Sequence, residues 1–415
     1  MLSRTRTAVA RPAASAKRWF SVARRASTAV PILQFSDEET ALQETVAQFA
    51  ARVIQPRVQE MDENEAIDKE VIADLFRQGL MGIETPTALG GAGASFTSAI
   101  IAIEELARVD PSVSVMCDVH NTLVNTCFRS YASQALKEKY LPRLSTESIG
   151  SFCLSEPASG SDAFAMKARA EKTPDGYKLN GSKMWITNAA DADIFLIFAN
   201  LDPSQGYKGI TCFVAEKDWG IKIAKKERKL GIRASSTCSI HFDDLHVPNE
   251  NLLGKEGQGY KYAIELLNEG RIGIAAQMTG LALGAYEKAV SYCVNDRQQF
   301  GQSIGDFQGM QFQFAQAYTE LEAARLLTYN AARLKENGLP FVIAAAQAKL
   351  YSSQVAQKVS GLSIEWMGGV GFTRETGVEK FWRSGLINTM QTNKTRDSKI
   401  GAIYEGTSNL QDVPC

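Results

Sequence analysis

A change of sequence texture divides this chain into three parts, and it restricts the fold more than any other feature. Helical patterns fill the chain up to about residue 148. Residues 150–254 consist instead of short alternating or apolar runs separated by turns, such as "YKLNGSKMWIT" and "ADIFLIFAN", which are typical of β-strands. Helical patterns then return after Gly259. Because the strands are clustered and do not alternate with helices, the pattern argues against a parallel sheet of strand–helix–strand units.

We therefore predict an α+β multidomain fold. An N-terminal all-α domain is expected over 33–149, a small barrel-like β-domain over 150–256, and a C-terminal four-helix-bundle domain over 257–415. The bundle rests on long helical patterns joined by short connections, the first being "YKYAIELLNEGRIGIAAQMTGLALGAYEKAVSYCVNDR". Inside the β-domain, "PDG" (174–176) and "NGS" (180–182) are predicted to be hairpin turns.

The first thirty residues differ in composition from the rest of the chain. Residues 1–30 hold seven basic residues and no acid, and they are rich in serine and alanine. This composition is typical of a mitochondrial transit peptide, although a disordered basic arm would have the same composition. No run of about 18 apolar residues is present, so no membrane span is expected.

The overall composition excludes several classes of protein. The chain has 415 residues, a net charge of −1, 45% hydrophobic residues and 22% charged residues, which is ordinary for a globular protein and gives no reason to expect nucleic-acid binding. The seven cysteines form no CxxC pair, which suits a reducing compartment and argues against a zinc site. His241 and His246 lie in a predicted strand region and His120 is alone, so we expect no metal. The chain contains no Rossmann GxGxxG fingerprint, P-loop or GxSxG motif.

Several short motifs have residue types that bind a polar, planar ligand. The segment "FCLSEPASGSD" (152–162) offers hydroxyls and backbone N–H groups, although it could also be an ordinary loop of the β-domain. "KMWITNA" places Trp185 and Thr187 on one predicted strand face, either as an aromatic cover beside a hydroxyl or with a core tryptophan. "NEGR" (268–271) interrupts an apolar helix, so its side chains need polar partners if they are buried.

Further motifs lie in the C-terminal part of the chain. "DRQQFG" (296–301) adds an arginine and an aromatic residue, and the glycines of "EWMGGVGF" (365–372) permit close approach of the backbone to a ligand. Near the end, "YEGTSN" (404–409) presents Glu405 beside a glycine. This glutamate is either a solvated acid in a loop or a general base. Each motif is a weak signal alone.

In this order and spacing the motifs resemble those of the acyl-CoA dehydrogenase family, flavoprotein oxidoreductases that oxidise acyl-CoA thioesters with FAD. The similarity covers 35–383 and 397–411. "MDENEAIDKEVI", "NEGRIGIAAQM" and "IEWMGGVGFT" are most similar to members that act on short or branched acyl chains such as 2-methylbutyryl-CoA. The resemblance implies a homotetramer in the mitochondrial matrix that passes electrons to electron-transferring flavoprotein, in branched-chain amino acid and fatty acid catabolism.

Carried over motif by motif, the resemblance also implies roles for individual residues. Acyl-CoA contacts are implied for Ser161, Tyr207, Tyr260, Asn268, Glu269, Gly270 and Arg271. FAD contacts are implied for Phe152, Cys153, Leu154, Ser155, Ser161, Trp185, Ile186, Thr187, Thr407, Ser408 and Asn409. FAD contacts made to a neighbouring subunit are implied for Arg297, Gln308, Glu365, Trp366, Met367, Gly368 and Gly369.

The resemblance makes Glu405 the catalytic base that removes the proton α to the thioester. Desolvation by bound substrate should raise its pKa toward the working pH. Some long-chain members and those acting on isovaleryl-CoA carry the base at the place of Gly270, which has no carboxylate. Glu269 is the rival, although adjacent helical positions point about 100° apart.

Two features depart from the family pattern, and both flank Glu405. Thirteen residues, "SGLINTMQTNKTR" (384–396), separate segments that are continuous in relatives, and "QDVPC" stands where relatives continue into a further helical segment. A relative with impaired catalysis therefore remains an alternative. An acyl-CoA oxidase-like enzyme that uses O₂ is another.

Overall fold

The computed structural model describes residues 31–382. Its N-terminal part is helical, and the first helix begins with a capping box in which Glu39 N–H donates to Ser36 Oγ (3.2 Å) and Ser36 N–H donates to Glu39 Oε2 (3.0 Å). The α-helices of this part are α1 (Asp37–Phe49), α2 (Val58–Asn64), α3 (Lys69–Arg77), α4 (Phe96–Val109), α5 (Pro111–Asp118), α6 (Thr126–Tyr131) and α7 (Gln134–Thr146).

A wide π-helical segment, Val119–Asn125, joins α5 to α6 without a break in the helix. Asn121 and Asn125 donate side-chain hydrogen bonds to the carbonyls of Leu80 and Met81, both at 2.8 Å. These bonds tie the segment to the loop that follows α3. Such π-helical turns occur often at functional sites, and this one lies beside the first strand of the sheet.

The central part of the chain forms an eight-stranded sheet whose strands follow the order β6-β7-β3-β2-β4-β5-β8, with β1 added in parallel to β4. Most neighbours are antiparallel, as expected for strands clustered in sequence. The strands are β1 (Gly150–Cys153), β2 (Arg169–Thr173), β3 (Gly176–Ile186), β4 (Ile194–Asn200), β5 (Ile210–Glu216), β6 (Lys222–Lys226), β7 (Cys238–Pro248) and β8 (Leu252–Leu253).

The structure confirms one predicted turn and shows that the other prediction was wrong. The "PDG" segment joins β2 to β3, where Thr173 pairs with Gly176. The "NGS" segment instead lies inside β3, at a register shift against β7. Gly181 has a φ of +151°, and a Cβ built there would lie 2.8 Å from Ala168 Cβ. The glycine therefore serves a bulge with close packing, since a bulge and a turn use the same residue types.

Both faces of β4 are buried, which places this strand between two hydrophobic cores. Leu196 and Phe198 pack into a core shared with the helices α6, α7 and α8. Phe195 and Ile197 pack into a second core with residues of β3, β7 and the N-terminal helices. This explains why "IFLIFAN" reads as a continuous apolar run and does not alternate.

The C-terminal part contains long helices, and one helix from the N-terminal part packs against them. Ile100 and Ile103 of α4 share a hydrophobic cluster with residues of α8, α9 and α10. Among the described residues, four helices thus surround this cluster, as in a helical bundle. The elements are α8 (Gly259–Asn295), the hairpin β9 (Gln298–Gln299) and β10 (Gln302–Ser303), α9 (Gln308–Glu336), α10 (Val342–Met367) and α11 (Val378–Phe381).

Candidate active site

The strand β1 is held at its beginning by a buried histidine. His120 Nδ1 accepts a hydrogen bond from Gly150 N–H (3.1 Å), and its Nε2–H donates to the Leu144 carbonyl (2.7 Å). Burial lowers the pKa of His120 to about 4, so the ring is neutral at physiological pH. Nothing in the sequence around His120 predicts this contact, which fixes the strand that carries Phe152 and Cys153.

A buried ion pair holds the loop that follows β1. Lys183 Nζ lies 2.9 Å from Glu156 Oε1 and 3.0 Å from the Leu154 carbonyl, and the Lys183 side chain is fully buried. Glu156 also accepts the backbone N–H groups of Lys167 (2.6 Å) and Ala168 (3.0 Å). Burial acts to raise the pKa of Glu156, but Lys183 and these N–H groups outweigh it and lower the pKa overall. The loop is therefore fixed at both ends while Ser161 stays exposed.

Sequence reasoning missed this ion pair. The one signal was the position of Lys183, four residues after Leu179 in a predicted strand. Strand side chains alternate between faces, so Lys183 shares the inward face of the buried Leu179. A lysine at such a position requires a buried partner. Which carboxylate supplies that partner cannot be read from sequence, because Glu156 and Lys183 are brought together by the fold of the loop.

Trp185 has an unusual backbone conformation at the end of β3. Its φ is +64°, which is costly for a bulky residue, and its ring is 53% exposed. The backbone N–H of Met184 donates to the Ser155 carbonyl (2.9 Å), which draws this end of β3 to the loop after β1. Strained, exposed aromatic residues are concentrated at functional sites.

The prediction that Trp185 and Thr187 share one strand face was wrong. A register shift between Lys183 and Ile186 and the positive φ of Trp185 break the alternation. Thr187 is consequently buried, and its carbonyl accepts a hydrogen bond from Ser151 Oγ (2.9 Å), while Ile186 packs into the core. The segment thus presents the Trp185 ring outward from a firmly held backbone.

An aromatic cluster connects this region to the beginning of α8. The ring of Tyr260 lies edge-on to that of Tyr207, with centroids 5.0 Å apart, and 6.4 Å from that of Phe164 in the loop after β1. The beginning of α8 therefore adjoins the loop after β1 through Phe164. Phe164 is a further residue that sequence reasoning missed.

The "NEGR" motif lies inside α8, and its charged side chains have some, but not all, of the polar partners that burial requires. Arg271 Nη1 donates to Asn268 Oδ1 at 3.0 Å, and Arg271 Nε is buried without a hydrogen-bond partner among the described residues. Glu269 Oε2 lies 3.2 Å from Lys335 Nζ of α9. Gly270 leaves the adjoining position of the helix without a side chain. The rival base is thus engaged in an ion pair.

A second group of candidate residues lies at the other end of α8. The Arg297 guanidinium donates to the Trp366 carbonyl, and a Cβ built on Gly368 would lie 2.7 Å from Arg297 Nη2. The Trp366 indole and the Met367 side chain are buried in the bundle, so Trp366 offers chiefly its backbone. Gln308 begins α9 close by in sequence. Glu365 precedes Trp366 at the end of α10, and Gly369 follows Gly368 in the turn after that helix.

The remaining candidate residues fall outside the described part of the chain. These are the proposed base Glu405, the flavin-contact candidates Thr407, Ser408 and Asn409, the predicted transit peptide (1–30) and the unusual segment 384–396. Within residues 31–382, no group of three or more His, Cys, Asp or Glu side chains could hold a metal ion. No helix within the same range is long and apolar enough to cross a membrane.

Comparison with known proteins identifies the class that this fold and these motifs define. The N-terminal, middle and C-terminal domain models of acyl-CoA dehydrogenases match residues 36–148, 151–245 and 257–412. The chain belongs to the acyl-CoA dehydrogenase family, and it is an oxidoreductase of that family.

The chain is similar to one curated relative and two solved structures that indicate which acyl-CoA dehydrogenases it resembles. The chain is 52% identical to the mitochondrial short/branched chain specific acyl-CoA dehydrogenase of Rattus norvegicus over 94% of this chain and 88% of the relative. Butyryl-CoA dehydrogenase from Megasphaera elsdenii superposes with a TM-score of 0.86 at 38% identity, over 91% of this chain and 97% of that one. Glutaryl-CoA dehydrogenase from Mycobacterium smegmatis, solved in complex with FADH2, superposes with a TM-score of 0.82 at 27% identity, over 91% and 93% of the two chains.

Enzymes of this family depend on FAD, and the residues present fit that cofactor. The half-exposed Trp185 ring and the exposed hydroxyl of Ser161 suit a planar, polar ring system. A Cβ at Gly368, whose φ is +67°, would lie 2.7 Å from Arg297 Nη2, so a side chain there would displace the guanidinium, and an arginine beside bare glycine backbone suits a diphosphate. The donor set therefore matches both the ring and the diphosphate of FAD.

Proposed function

We propose that this protein catalyses the FAD-dependent α,β-dehydrogenation of short or branched acyl-CoA thioesters, with 2-methylbutyryl-CoA as the preferred substrate class. The observation that carries the proposal is that the loop after β1 contacts both the Trp185 end of β3 and Tyr260 at the beginning of α8, the helix that also carries the "NEGR" turn. The name of the rat relative supports the short and branched acyl chain.

Two sets of residues bind the cofactor and the substrate. Phe152, Cys153, Leu154 and Ser155 with the 185–187 segment hold the flavin, and Ser161, Tyr207, Tyr260 and the 268–271 segment border the acyl-CoA. When bound, FAD supplies the acceptor for the hydride that leaves the β carbon. Polar groups around the thioester carbonyl stabilise the enolate that forms when the α-proton is removed.

Glu405 is the proposed base for the α-proton. On α8, Gly270 has no side chain and Glu269 is paired with Lys335, so this turn of the helix offers no available carboxylate. A base supplied by a different segment is consistent with that arrangement. Desolvation by the substrate then raises the pKa of the base toward the working pH.

We assign the two groups of FAD residues to the cofactors of different subunits, as the family resemblance implies. Arg297 follows the C-terminal end of α8, whereas Tyr260, which contacts the loop after β1 through Phe164, lies at its beginning, and the helix spans 37 residues or roughly 55 Å at about 1.5 Å per residue. Exposed aromatic rings accompany the Arg297 group: Phe300 is 92% exposed and Phe372 is 75% exposed. We assign these rings to subunit contacts in a homotetramer, in which Arg297, Gln308 and the 365–369 segment reach the FAD of a neighbour.

The name of the rat relative also supports a mitochondrial setting. The basic segment 1–30 is assigned as a mitochondrial transit peptide and the mature enzyme to the matrix, in keeping with the name of the rat relative. Electron-transferring flavoprotein is the assigned electron acceptor, and branched-chain amino acid and fatty acid catabolism the assigned process.

Product analysis tests the proposal. The purified protein is incubated with 2-methylbutyryl-CoA and an artificial electron acceptor, and the thioester is analysed by mass spectrometry. Loss of two hydrogen atoms from the acyl group, faster than with octanoyl-CoA, is the expected result. An unchanged thioester would refute the reaction. Rapid turnover with O₂ as sole acceptor would favour an oxidase.

A further inference from the structure

Four charged side chains form a partly buried cluster directly behind the "NEGR" turn of α8. Lys335 Nζ of α9 lies 3.2 Å from Glu269 Oε2 and 3.5 Å from Glu84 Oε2, and Arg129 Nη2 of α6 lies 2.9 Å from Glu84 Oε1. All four side chains are between 10% and 17% exposed. The cluster joins α6, α8, α9 and the loop after α3.

Lys335 is the central cation of this cluster. It lies between the two carboxylates, and its ammonium group is also 3.8 Å from the centroid of the Phe96 ring. Burial raises the pKa of Glu269, the attraction of Lys335 opposes this shift, and the nearby Glu84 carboxylate adds to it. Without Lys335, two carboxylates would share Arg129 alone. Such loss of one member leaves a buried charge uncompensated.

The cluster anchors the "NEGR" turn of α8 against α9. Because adjacent helical residues point about 100° apart, fixing Glu269 toward α9 also fixes the directions of Asn268 and Arg271. Arg271 Nη1 donates a hydrogen bond to Asn268 Oδ1 at 3.0 Å. The buried Arg271 Nε–H has no acceptor among the described residues, so it is available to a ligand.

We propose that Lys335 is a positioning residue for acyl-CoA: by holding Glu269 through the cluster with Glu84 and Arg129, it fixes the turn of α8 that binds the thioester. The inference rests on the proposed function, since it names what orients that site. Glu269 itself then acts through the helix and its ion pair, and it contributes no proton transfer.

The test measures binding of crotonyl-CoA, an enoyl thioester, to the FAD-loaded protein by calorimetry. Lys335→Met and Glu269→Gln should each raise the Kd by about tenfold, and Lys335→Arg should restore most of the affinity. Lys358→Met is the control, because Lys358 also forms an ion pair with Glu320 (2.6 Å) between α9 and α10, but this lysine is 49% exposed and the pair lies away from the "NEGR" turn. Its Kd should match that of the wild type.

A pH series adds a readout that a purely structural role would not change. Acid protonates Glu269 and releases Lys335, so the wild-type Kd should rise as pH falls, and Glu269→Gln should lose that dependence. A lower melting temperature with an unchanged Kd would overturn the proposal. Because Glu269→Gln keeps the side-chain volume, it serves if Lys335→Met fails to fold. If the protein binds crotonyl-CoA but no saturated acyl-CoA reduces its flavin, the proposed reaction is refuted. The binding test of Lys335 still applies in that case.

Discussion

Replacing Lys183 by methionine should destabilise the protein and release its flavin. The Lys183 side chain is fully buried and that of Glu156 is 6% exposed, so the substitution leaves a carboxylate without its cation in a dry site. Breaking such a buried pair costs about 3–5 kcal/mol. At about 2–4 °C per kcal/mol, the melting temperature should fall by at least about 6 °C. Differential scanning calorimetry measures this fall. The absorbance of the FAD that stays bound shows whether the loop after β1 still holds the flavin.

The matched control is Lys178→Met on the same strand. Lys178 pairs with Asp244 at 3.3 Å, but both side chains are open to water, so its melting temperature should equal that of the wild type. The double variant Lys183→Met, Glu156→Gln should recover much of the lost stability, since no unpaired charge remains. A Lys183→Met protein that melts with the wild type and keeps its FAD would refute the view that this pair holds the loop.

Three further predictions concern the flavin region and its supports. Trp185→Ala should weaken FAD retention in gel filtration by several-fold with little change in melting temperature, because the ring is 53% exposed. Gly368→Ala should lower FAD content without unfolding the chain, since its Cβ would lie 2.7 Å from Arg297 Nη2; unchanged FAD would contradict the role of that group. Between pH 6.5 and 4, native His120 stays neutral because its pKa is lowered to about 4, whereas His120 of the unfolded chain binds a proton, so acid lowers the free energy of unfolding through this residue. Native Asp118 keeps a proton because its pKa is raised to about 7, and it opposes that loss in the wild type. Asp118→Asn should therefore lose about 1.4 kcal/mol of unfolding free energy per pH unit relative to the wild type in urea unfolding, and equal pH slopes for the two proteins would contradict the assignment.

The overall architecture could be predicted because it depends on periodicity, which is local. The helical pattern of α8 runs through "NEGR" as expected, and the capping box of Ser36 with Glu39 also depends on residues only three positions apart. The "PDG" turn likewise follows from the conformational preferences of three adjacent residues. Such features need no information about distant segments.

The details of the site could not be predicted, because they depend on contacts between distant residues. Gly181 was mistaken for a turn residue, since only the approach of Ala168 reveals the bulge. Trp185 was placed on the same face as Thr187, since the register shift arises from pairing with β7. The ion pair of Lys183 with Glu156 joins positions 27 residues apart.

An anaerobic titration of the purified protein with 2-methylbutyryl-CoA, followed by flavin absorbance, tests the central claim most directly. The flavin should bleach on addition of substrate, and Glu405→Gln should abolish the bleaching while retaining FAD. Deletion of 384–396 should preserve or increase the rate, because the family resemblance implies a chain without this segment. A yellow wild-type protein that bleaches with neither 2-methylbutyryl-CoA nor butyryl-CoA, with or without 384–396, would contradict the assignment as a short/branched-chain dehydrogenase.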